Sequence, residues 1–427
     1  MSQRVAVLGL GYVGLPLIRA CLAAGHQVLG FDIDHTVVTS LSCGLSHVDD
    51  VSDDEVVTWL QGGFLPTADP AALEQVDVFI ICVPTPLSVD GSPNLAAVEA
   101  AAHTIARAID ATRRPLVVLE STTYPGTTEE IVRPILESAG LIAASDFALA
   151  FSPERIDPGN KHWTFENTPK IVGGLTAQCA DRAVEFYSTV TSQVVRTKGL
   201  KEAEMAKLLE NTYRHVNIAL VNELAKISHL LGIDFWDVIA AAETKPYGFH
   251  AFRPGPGVGG HCIPIDPNYL GHRVRTELGQ SLRFVELAQE INASMPEYVV
   301  QRAQQLLAQD GLALGEAQIL LLGVTYKADI ADLRESPSYD VVRALRKLGA
   351  QVCFHDPFVS TWLVDDIEVP KVIDLQSGAL LADCTILLQA HAGYLDASAL
   401  LGSRRLLDTQ GRLAAHPSNP GIAWTTL

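Results

Sequence analysis

The feature that most constrains the fold is a glycine-rich turn close to the start of the chain. It reads Gly9-Leu-Gly11-Tyr-Val-Gly14 and lies between an apolar run, Val5–Leu8, and a stretch of helical character. A strand that leads through such a turn into a helix opens a βαβ unit, because glycine lets the backbone turn tightly and pack closely. The N–H groups at the start of that helix can bind a pyrophosphate.

An acidic residue at the end of the next predicted strand completes the dinucleotide motif. Asp32 directly follows the apolar run Gln27–Phe31. A carboxylate at this position accepts hydrogen bonds from a ribose diol and repels a 2′-phosphate, so the motif predicts NAD and not NADP. For the glycines alone, a turn that only packs a helix on a strand is the alternative interpretation.

Short apolar runs that indicate buried strands occur near both ends of the chain. They are Val76–Val83, Pro115–Glu120, Phe147–Phe151, Ile319–Leu322, Gln351–Phe354 and Thr385–Leu388. Helical stretches separate them, among them Ser336–Leu348. Alternation of this kind is typical of a parallel α/β sheet.

The middle of the chain has a helical pattern instead. A long helix is predicted from Lys201 to about Leu231, and Gly232 is expected to end it. Its apolar positions recur at helical spacing: Met205, Leu208, Leu209, Val216, Leu220, Leu224 and Ile227. An irregular, Gly- and Pro-rich segment covers Gly248–Pro267, and a second helical stretch covers Ser281–Gln309.

These patterns predict an α/β fold of two Rossmann-like, doubly wound domains joined by a helical central domain with one long helix. A weak internal repeat supports this, because Gly25–Asp32 and Gly349–Asp356 share the first glycine, a Gln-Val pair and the final aspartate. The predicted domains are residues 1–195, which bind NAD, 196–308, which carry a cysteine loop, and 309–427.

Composition narrows the classes of partner and site. The 427 residues are 48% hydrophobic and 19% charged, as in a packed globular protein, and the net charge of −18 argues against nucleic acid or an anionic membrane. No apolar run has the ~18–20 residues of a membrane span. The seven cysteines are scattered without metal-ligand spacing, so we expect neither disulfides nor a metal, and a cytoplasmic location.

One cysteine differs from the others in its surroundings. Cys262 lies in the segment Gly255-Pro-Gly-Val-Gly-Gly-His-Cys-Ile-Pro-Ile-Asp266, where small residues leave room for a ligand and where His261 and Asp266 can tune a thiol. It is a candidate nucleophile, although an ordinary loop cysteine remains an alternative. In contrast, the other cysteines in apolar segments are expected to be buried and inert, namely Cys21, Cys82, Cys353 and Cys384.

Further polar residues occur where ligands of such folds bind. Lys207, Asn211 and Arg214 share one face of the long helix, unless that face is simply solvated. The pair Glu154-Arg155 follows the predicted strand Phe147–Phe151, where it could contact a ligand. An ordinary salt bridge at the end of the strand is the alternative. Thr85 and Thr122 follow apolar strands at the ligand-binding edge of the sheet, where a role in the turn is the alternative.

Taken together, these segments resemble the UDP-glucose/GDP-mannose dehydrogenase family over essentially the whole chain. Seven blocks carry the resemblance: GLGYVGLP (9–16), CVPTP (82–86), ESTTYPGTT (120–128), FSPERIDPGN (151–160), EMAKLLENTYRHVNIALVNE (204–223), GPGVGGHCIPIDP (255–267) and GVTYKADIADLRESP (323–337). The resemblance implies a four-electron oxidation of a sugar C6 alcohol that uses two NAD in succession and a thioester on Cys262.

The resemblance also implies roles for individual residues. Lys207 and Asp266 would remove the hydroxyl proton through a held water, Lys207 and Asn211 would stabilise an oxyanion, and Glu154 and Thr122 would support hydrolysis. NAD would contact Gly9, Gly11, Tyr12, Val13, Gly14, Asp32, Thr85, Thr122 and Arg334. The UDP-sugar would contact Glu154, Arg155, Lys207, Asn211, Arg214, Arg253, Gly259, Tyr326 and Lys327. A homodimer or larger assembly through the central helices is also implied.

The choice of sugar depends on two segments. SPERIDPGN (152–160) resembles the branch that acts on UDP-N-acetylhexosamines, and KPYGFHAFRPGPGVGGHCIPIDP (245–267) is most similar to UDP-N-acetylglucosamine 6-dehydrogenases. Other UDP-N-acetylhexosamines and UDP-glucose stay open. The basic residue that often follows the ribose-binding acid in the family is absent here, so the contact to the adenosine phosphate is either weaker or supplied by His35. The rival functions are a two-electron Rossmann dehydrogenase and a non-catalytic sensor.

Overall fold

The computed structural model describes residues 2–48, 50–88, 91–157, 160, 162–260, 263–395, 400, 402–413 and 422–427. They form two compact units. The first consists of Met1–Glu210 and Asn268–Gln280, and the second of Asn211–Pro267 and Ser281–Leu427. Within the part of the chain that the structure describes, no helix is both long and apolar enough to cross a membrane.

The first unit contains the strands β1 (Arg4–Leu8), β2 (Gln27–Phe31), β3 (Leu65–Thr67), β4 (Val78–Ile81), β5 (Leu116–Leu119), β6 (Ala148–Phe151), β7 (Lys170–Gly174) and β8 (Val194–Arg196). They form one eight-stranded sheet in the order β3-β2-β1-β4-β5-β6-β7-β8. Neighbours run parallel except β6 and β7, which are antiparallel. This order is that of a doubly wound sheet extended at one edge.

The second unit contains β9 (Gln318–Leu322), β10 (Gln351–His355), β11 (Leu363–Val364), β12 (Ile367–Glu368), β13 (Cys384–Leu387), β14 (Arg405–Asp408) and β15 (Ala423–Thr426). Five of them form a parallel sheet in the order β10-β9-β13-β14-β15. β11 and β12 form a separate hairpin. β9, the first strand of this unit, lies between β10 and β13, so the strand order reverses at β9. In the first unit the order reverses in the same way at β1, which lies between β2 and β4.

The α-helices are α1 (Gly14–Ala23), α2 (His35–Ser42), α3 (Asp53–Gln61), α4 (Ala96–Ala108), α5 (Arg133–Glu137), α6 (Ala177–Tyr187), α7 (Leu200–Leu230), α8 (Phe235–Glu243), α9 (Asp266–Leu278), α10 (Arg283–Ala293), α11 (Met295–Ala308), α12 (Ser338–Lys347) and α13 (Leu375–Leu381). Helices cover both faces of each main sheet, so every residue of β4, β5 and β13 is buried. That burial explains the unbroken apolar runs in the sequence. The predicted fold class is confirmed.

The long central helix matches the prediction, but two helices that follow it, α8 and α9, were not predicted. α7 is 31 residues long, and Gly232 follows it with φ +68°, a conformation that favours glycine at a helix end. The second helical stretch, however, is two helices, because α10 ends at Ala293 and α11 begins at Met295. Pro296 stands in the first turn of α11, where its missing N–H is tolerated, and a continuous helix would have lost a hydrogen bond there.

Candidate active site

The glycine-rich turn between β1 and α1 is shaped by two close backbone approaches. Gly9 has φ +96°, and a Cβ on it would lie 2.6 Å from the carbonyl oxygen of Cys82. A Cβ on Gly14 would lie 2.0 Å from the carbonyl oxygen of Gly9. A Cβ on Gly11, by contrast, would meet nothing within 4 Å. Gly9 and Gly14 are therefore required by packing, while Gly11 faces open space in which a ligand could approach the backbone.

The start of α1 and the end of β2 provide the two polar elements of this turn. The first turn of α1 has no acidic residue, and no side chain caps it. Leu15 already donates its N–H to the carbonyl of Gly11 at 3.1 Å, and Pro16 has no N–H, so the N–H of Gly14 is the one that this turn can direct at a phosphate. Asp32 is half-buried and accepts hydrogen bonds from the N–H groups of Leu10 (2.9 Å) and Asp34 (3.0 Å). Asp34 itself caps α2 by accepting from Thr36 at 2.8 Å. Asp32 is therefore the carboxylate held beside the turn.

The two threonines that follow strands lie in differently fixed segments. Thr85 is buried, and its carbonyl oxygen accepts a hydrogen bond from the Tyr269 hydroxyl at 2.8 Å. Thr122 is half-buried and follows Ser121, whose hydroxyl donates to the carbonyl of Val83 at 2.7 Å. The segments after β4 and β5 are therefore joined to each other at the carboxyl edge of the sheet.

Glu120, at the exit of β5, belongs to a buried charge pair that the sequence reasoning missed. Its carboxylate lies 2.7 Å from Nζ of Lys170 and also accepts a hydrogen bond from the Tyr187 hydroxyl. Both charged side chains are almost fully buried, and Nζ of Lys170 lies over the rings of Phe165 and Tyr187 at 5.1 and 5.3 Å. An ion pair without solvent is held only by such complete pairing, so it fixes the exit of β5 against β7.

The face of α7 that carries Lys207 is buried and paired, not solvated. Lys207 is 6% exposed, and its Nζ donates to the carbonyl oxygen of Glu154 at 2.7 Å and lies 3.4 Å from the Glu154 carboxylate. Glu154 is 8% exposed, and its carboxylate also accepts from the N–H of Ile156. The structure thus brings a lysine and a carboxylate, both predicted site residues, into one buried pair.

One turn along α7, in the second unit, a similar pair forms. Asn211 is half-buried and donates through Nδ2 to the carboxylate of Asp266, which is 2% exposed and stands in the first turn of α9. A carboxylate is favoured at that position by the helix dipole. Arg214, the third predicted residue of this face, is exposed.

Three further polar residues continue the same face and were not predicted. Glu204 is fully buried and accepts hydrogen bonds from the N–H of Gly126 (2.6 Å) and from the N–H and hydroxyl of Thr128 (2.9 and 2.7 Å). Asn222 is fully buried and accepts from the N–H of Gly255 at 3.0 Å. His215 is also buried. Their spacing from Lys207 and Asn211 was the sequence feature that could have identified them, because it places all five residues on one helical face.

The glycine-rich segment before Cys262 packs against the loop after β9. A Cβ on Gly259 would lie 2.7 Å from the Tyr326 Cβ, and one on Gly260 would lie 2.6 Å from its ring. The N–H of Gly260 donates to the carbonyl of Arg334 at 3.0 Å. The structure therefore brings Gly259, Tyr326 and Arg334 together. Half-buried Lys327 follows Tyr326 in the same loop.

Three of the four arginines predicted as ligand contacts lie beside a carboxylate. Arg155 donates to Glu210 and to the carbonyl of Pro169, both at 2.6 Å. Arg253 lies 3.0 Å from Glu243, and Arg334 lies 2.5 Å from Asp332. Arg253 and Arg334 are exposed, so their ion pairs are weak and a ligand can compete for them.

Cys262 and His261 lie outside the described residues. Among the other cysteines expected to be inert, Cys21, Cys82 and Cys384 are buried, and burial raises the pKa of the Cys384 thiol to about 12. Burial also raises the pKa of Cys82 well above its ordinary value. Cys353 is only half-buried, which corrects the expectation, because β10 is the edge strand of its sheet.

This arrangement can support proton transfer and the stabilisation of negative charge. Lys207 is a buried cation next to a carboxylate, and Asn211 supplies an amide donor one turn away on the same helix. Buried donors of this kind stabilise an oxyanion more strongly than donors in water do. A glycine turn with an adjacent acid can hold a dinucleotide.

Comparisons with known proteins cover nearly the whole chain. Three models of the UDP-glucose/GDP-mannose dehydrogenase family match: the NAD binding domain at residues 3–191, the central domain at 201–294 and the UDP binding domain at 320–414. A UDP-N-acetyl-D-glucosamine 6-dehydrogenase of Pseudomonas aeruginosa is 37% identical over 359 residues, 84% of this chain and 83% of that protein. An NDP-N-acetyl-D-galactosaminuronic acid dehydrogenase of Ralstonia solanacearum is 33% identical over 97% of both chains.

A solved structure agrees with these matches. The UDP-D-ManNAc dehydrogenase of Pyrococcus horikoshii superposes with a TM-score of 0.88 at 31% identity, covering 99% of this chain and 98% of that one.

The buried His215 predicts a specific dependence of stability on pH. Burial lowers its pKa from 6.5 to about 4. The unfolded chain therefore takes up a proton near pH 6.5 that the folded chain accepts only near pH 4, so the free energy of unfolding falls as the pH drops through this range. At pH 4.5 this one group costs about 2–3 kcal/mol.

Thermal unfolding midpoints measured from pH 7 to pH 4.5 check this prediction. We expect His215→Asn to lower the midpoint at pH 7 but to flatten its decline with acid, while exposed His103→Asn keeps the wild-type decline. An equally steep decline in His215→Asn would show that this histidine is not the group responsible.

Proposed function

This chain belongs to the UDP-glucose/GDP-mannose dehydrogenase family and is an NAD-dependent UDP-sugar dehydrogenase, and we propose that it oxidises the C6 hydroxyl of UDP-N-acetylglucosamine to a carboxylate. The observation that carries the proposal is the polar face of α7. On it, Lys207 pairs with Glu154 and Asn211 pairs with Asp266, which are the side chains that this chemistry requires.

The choice of sugar is argued from sequence. The relatives and the solved structure named above act, by their names, on N-acetylated derivatives of three different hexoses at similar identity, 31–37%. Overall similarity therefore does not separate the sugars. The segment 152–160 favours the UDP-N-acetylhexosamines, and the segment 245–267 favours UDP-N-acetylglucosamine among them. UDP-glucose or another UDP-N-acetylhexosamine is the alternative that the experiment below distinguishes.

The residues of the first unit fit NAD. Gly11 borders open space, the start of α1 carries no acidic side chain that would repel a pyrophosphate, and Asp32 offers a carboxylate to the ribose. Tyr12, Val13, Thr85 and Thr122 are the further proposed contacts in this unit, and Arg334, a residue of the second unit, is proposed from the resemblance to the family. When bound, NAD supplies the hydride acceptor for both oxidation steps.

Removal of the hydroxyl proton is assigned to Asp266 and Lys207. As the C6 hydride leaves, the hydroxyl proton passes through a held water to the Asp266 carboxylate, and an aldehyde forms. The ammonium of Lys207 stabilises the alkoxide character that develops on the oxygen. Because Lys207 is buried and fixed by Glu154, it needs little reorganisation to do so.

Cys262 then traps the aldehyde. Its sulfur forms a bond to C6, the thiol proton passes to the carbonyl oxygen, and the product is a thiohemiacetal. Lys207 and Asn211 donate to that oxygen, and a fixed donor of this type lowers the activation free energy by ~3–4 kcal/mol. Loss of the second hydride gives a thioester, so the reactive aldehyde stays covalently held.

Hydrolysis releases the product. Thr122 positions a water that attacks the thioester, Glu154 accepts its proton, the C–S bond breaks and the thiol of Cys262 is restored. Four electrons leave C6 in total, two in each oxidation step. Tyr326 and Lys327 would hold the nucleotide, and the further proposed substrate contacts are Gly259, Arg155, Arg214 and Arg253. The three arginines offset the acidic background of the protein.

The assembly we propose is a homodimer that forms along α7. The single chain leaves an apolar set on this helix exposed: Leu209, Leu220, Leu224, Ile227 and Leu230. An apolar row of this length on one helix is characteristic of an interface and not of a solvated surface. The resemblance to the family supports a second copy of the chain as the partner.

The stoichiometry of NADH tests the proposed reaction. We expect two NADH for each UDP-N-acetylglucosamine consumed, and a loss of turnover of at least about a thousandfold in Cys262→Ala, because the covalent route is lost. Cys43→Ala removes an exposed thiol and serves as the matched control with wild-type turnover. NADH formation is followed by absorbance with a panel of UDP-GlcNAc, UDP-GalNAc, UDP-ManNAc and UDP-glucose.

Each result has a distinct meaning. Two NADH from another sugar of the panel would keep the chemistry and change the sugar. One NADH per sugar, or a fully active Cys262→Ala, would indicate a two-electron dehydrogenase. Ligand binding without NADH would indicate a sensor.

Sedimentation velocity tests the proposed dimer. We expect the wild type at the mass of two chains, and Leu220→Asp at the mass of one, because a carboxylate in an apolar interface carries a desolvation cost of several kcal/mol. Leu381→Asp changes a more exposed leucine outside α7 and should remain dimeric. A wild-type monomer, or a dimer that survives Leu220→Asp, would contradict this interface.

A further inference from the structure

The two doubly wound units share a set of contacts at the exit of their first strand. The N–H of Gly9 donates to the carbonyl of Phe31 at 2.9 Å, and the N–H of Gly323 donates to that of His355 at 3.0 Å. Asp32 accepts from the N–H of Leu10 at 2.9 Å, and Asp356 accepts from that of Val324 at 2.8 Å. Asp356 is therefore the counterpart of the proposed ribose-binding acid.

The surroundings of the two acids differ. Asp32 is half-buried, whereas Asp356 is fully buried and lies 3.0 Å from Nε2 of His391, which is itself fully buried. The second oxygen of Asp356 accepts from the N–H of Phe358 at 2.8 Å. Asp356 is thus enclosed by protein donors, and this excludes it from contact with a ribose.

The other edge of the His391 ring fixes a loop. Nδ1 accepts a hydrogen bond from the N–H of Asp329 at 2.8 Å, so the ring hydrogen belongs on Nε2, facing Asp356. In return, the Asp329 carboxylate accepts from the N–H of Ala392 at 2.9 Å. Asp329 has φ +62°, an unfavourable conformation for a residue with a side chain, so the loop depends on these contacts.

That loop carries the proposed nucleotide contacts. The carbonyl of Lys327 accepts from the Thr325 hydroxyl at 2.8 Å, and the carbonyl of Tyr326 accepts from Gln389 at 2.9 Å. Gln389 lies two residues before His391, at the exit of β13. Residues 325–329 are therefore held from the neighbouring strand exit, 389–392, at several points.

We infer that His391 is a positioning residue for the substrate nucleotide, because it connects buried Asp356 to the loop that presents Tyr326 and Lys327. In the second unit, the acid that a dinucleotide would use is instead an internal anchor for this loop. The inference rests on the proposed function, in which that loop binds UDP.

Three substitutions at His391 separate its two hydrogen bonds. The amide oxygen of Asn can replace the Nδ1 acceptor, the amide nitrogen of Gln can replace the Nε2 donor, and Leu can replace neither. We expect His391→Leu to raise the Kd of UDP, measured by calorimetry, and the KM of the UDP-sugar about tenfold, as the loss of two hydrogen bonds implies. His391→Asn should retain more affinity than His391→Leu, and kcat and the KM of NAD should change less than about twofold.

Two variants outside His391 provide a second reading if His391→Leu does not fold. Asp329→Ala removes the bond to Ala392 from a half-exposed side chain and should also weaken UDP binding, whereas Asp329→Asn keeps an acceptor oxygen and should restore it. His355→Leu removes a neighbouring imidazole that contacts Tyr394 and serves as the matched control with wild-type affinity.

The outcomes separate this inference from the proposed function. Wild-type UDP affinity in folded His391→Leu or in Asp329→Ala would overturn the positioning role and leave the proposed function intact. Equal losses in kcat, the KM of NAD and UDP affinity would also overturn it, since they would indicate a general structural defect. A wild type that binds no UDP would overturn the proposed function, and the inference with it.

Discussion

A row of polar side chains along α7, buried except for half-buried Asn211, contacts the loops on which the proposed chemistry depends. Glu204 fixes the segment after β5, Lys207 fixes Glu154, and Asn211 meets Asp266. Further along, Asn222 fixes the glycine-rich segment at Gly255. Glu204 and Lys207 contact loops of the first unit, and Asn211 and Asn222 contact loops of the second.

Burial is what gives these contacts their importance. A buried charge or amide without a partner costs more than the hydrogen bond itself contributes, so each polar residue of the row requires the loop that it binds. The pair of Glu120 and Lys170 adds the same constraint at the exit of β5. The loops of the proposed site are therefore held before any substrate arrives, as a catalyst that stabilises developing charge requires.

Much of this could be predicted from local sequence. The turn at Gly9–Gly14 and the acid Asp32 identify a dinucleotide site because their backbone requirements are local, and the buried strands appear as unbroken apolar runs. Lys207 and Asn211 could be placed on one helical face from the sequence. How far each side chain is buried could not be predicted, because burial depends on residues distant in sequence. For the same reason Glu204 and Glu120 were missed: their partners lie up to 78 positions away. The pairing of His391 with Asp356 also needs the folded sheet.

The most direct test of the account is whether the covalent intermediate accumulates when hydrolysis is blocked. Glu154→Gln, mixed with NAD and UDP-N-acetylglucosamine, should release a rapid burst of two NADH per chain and then turn over slowly. Intact mass measurement during the slow phase should show one added UDP-sugar acyl group, located on Cys262 and absent in the Cys262→Ala double variant. An unmodified chain during that slow phase, or an adduct elsewhere, would contradict the thioester mechanism.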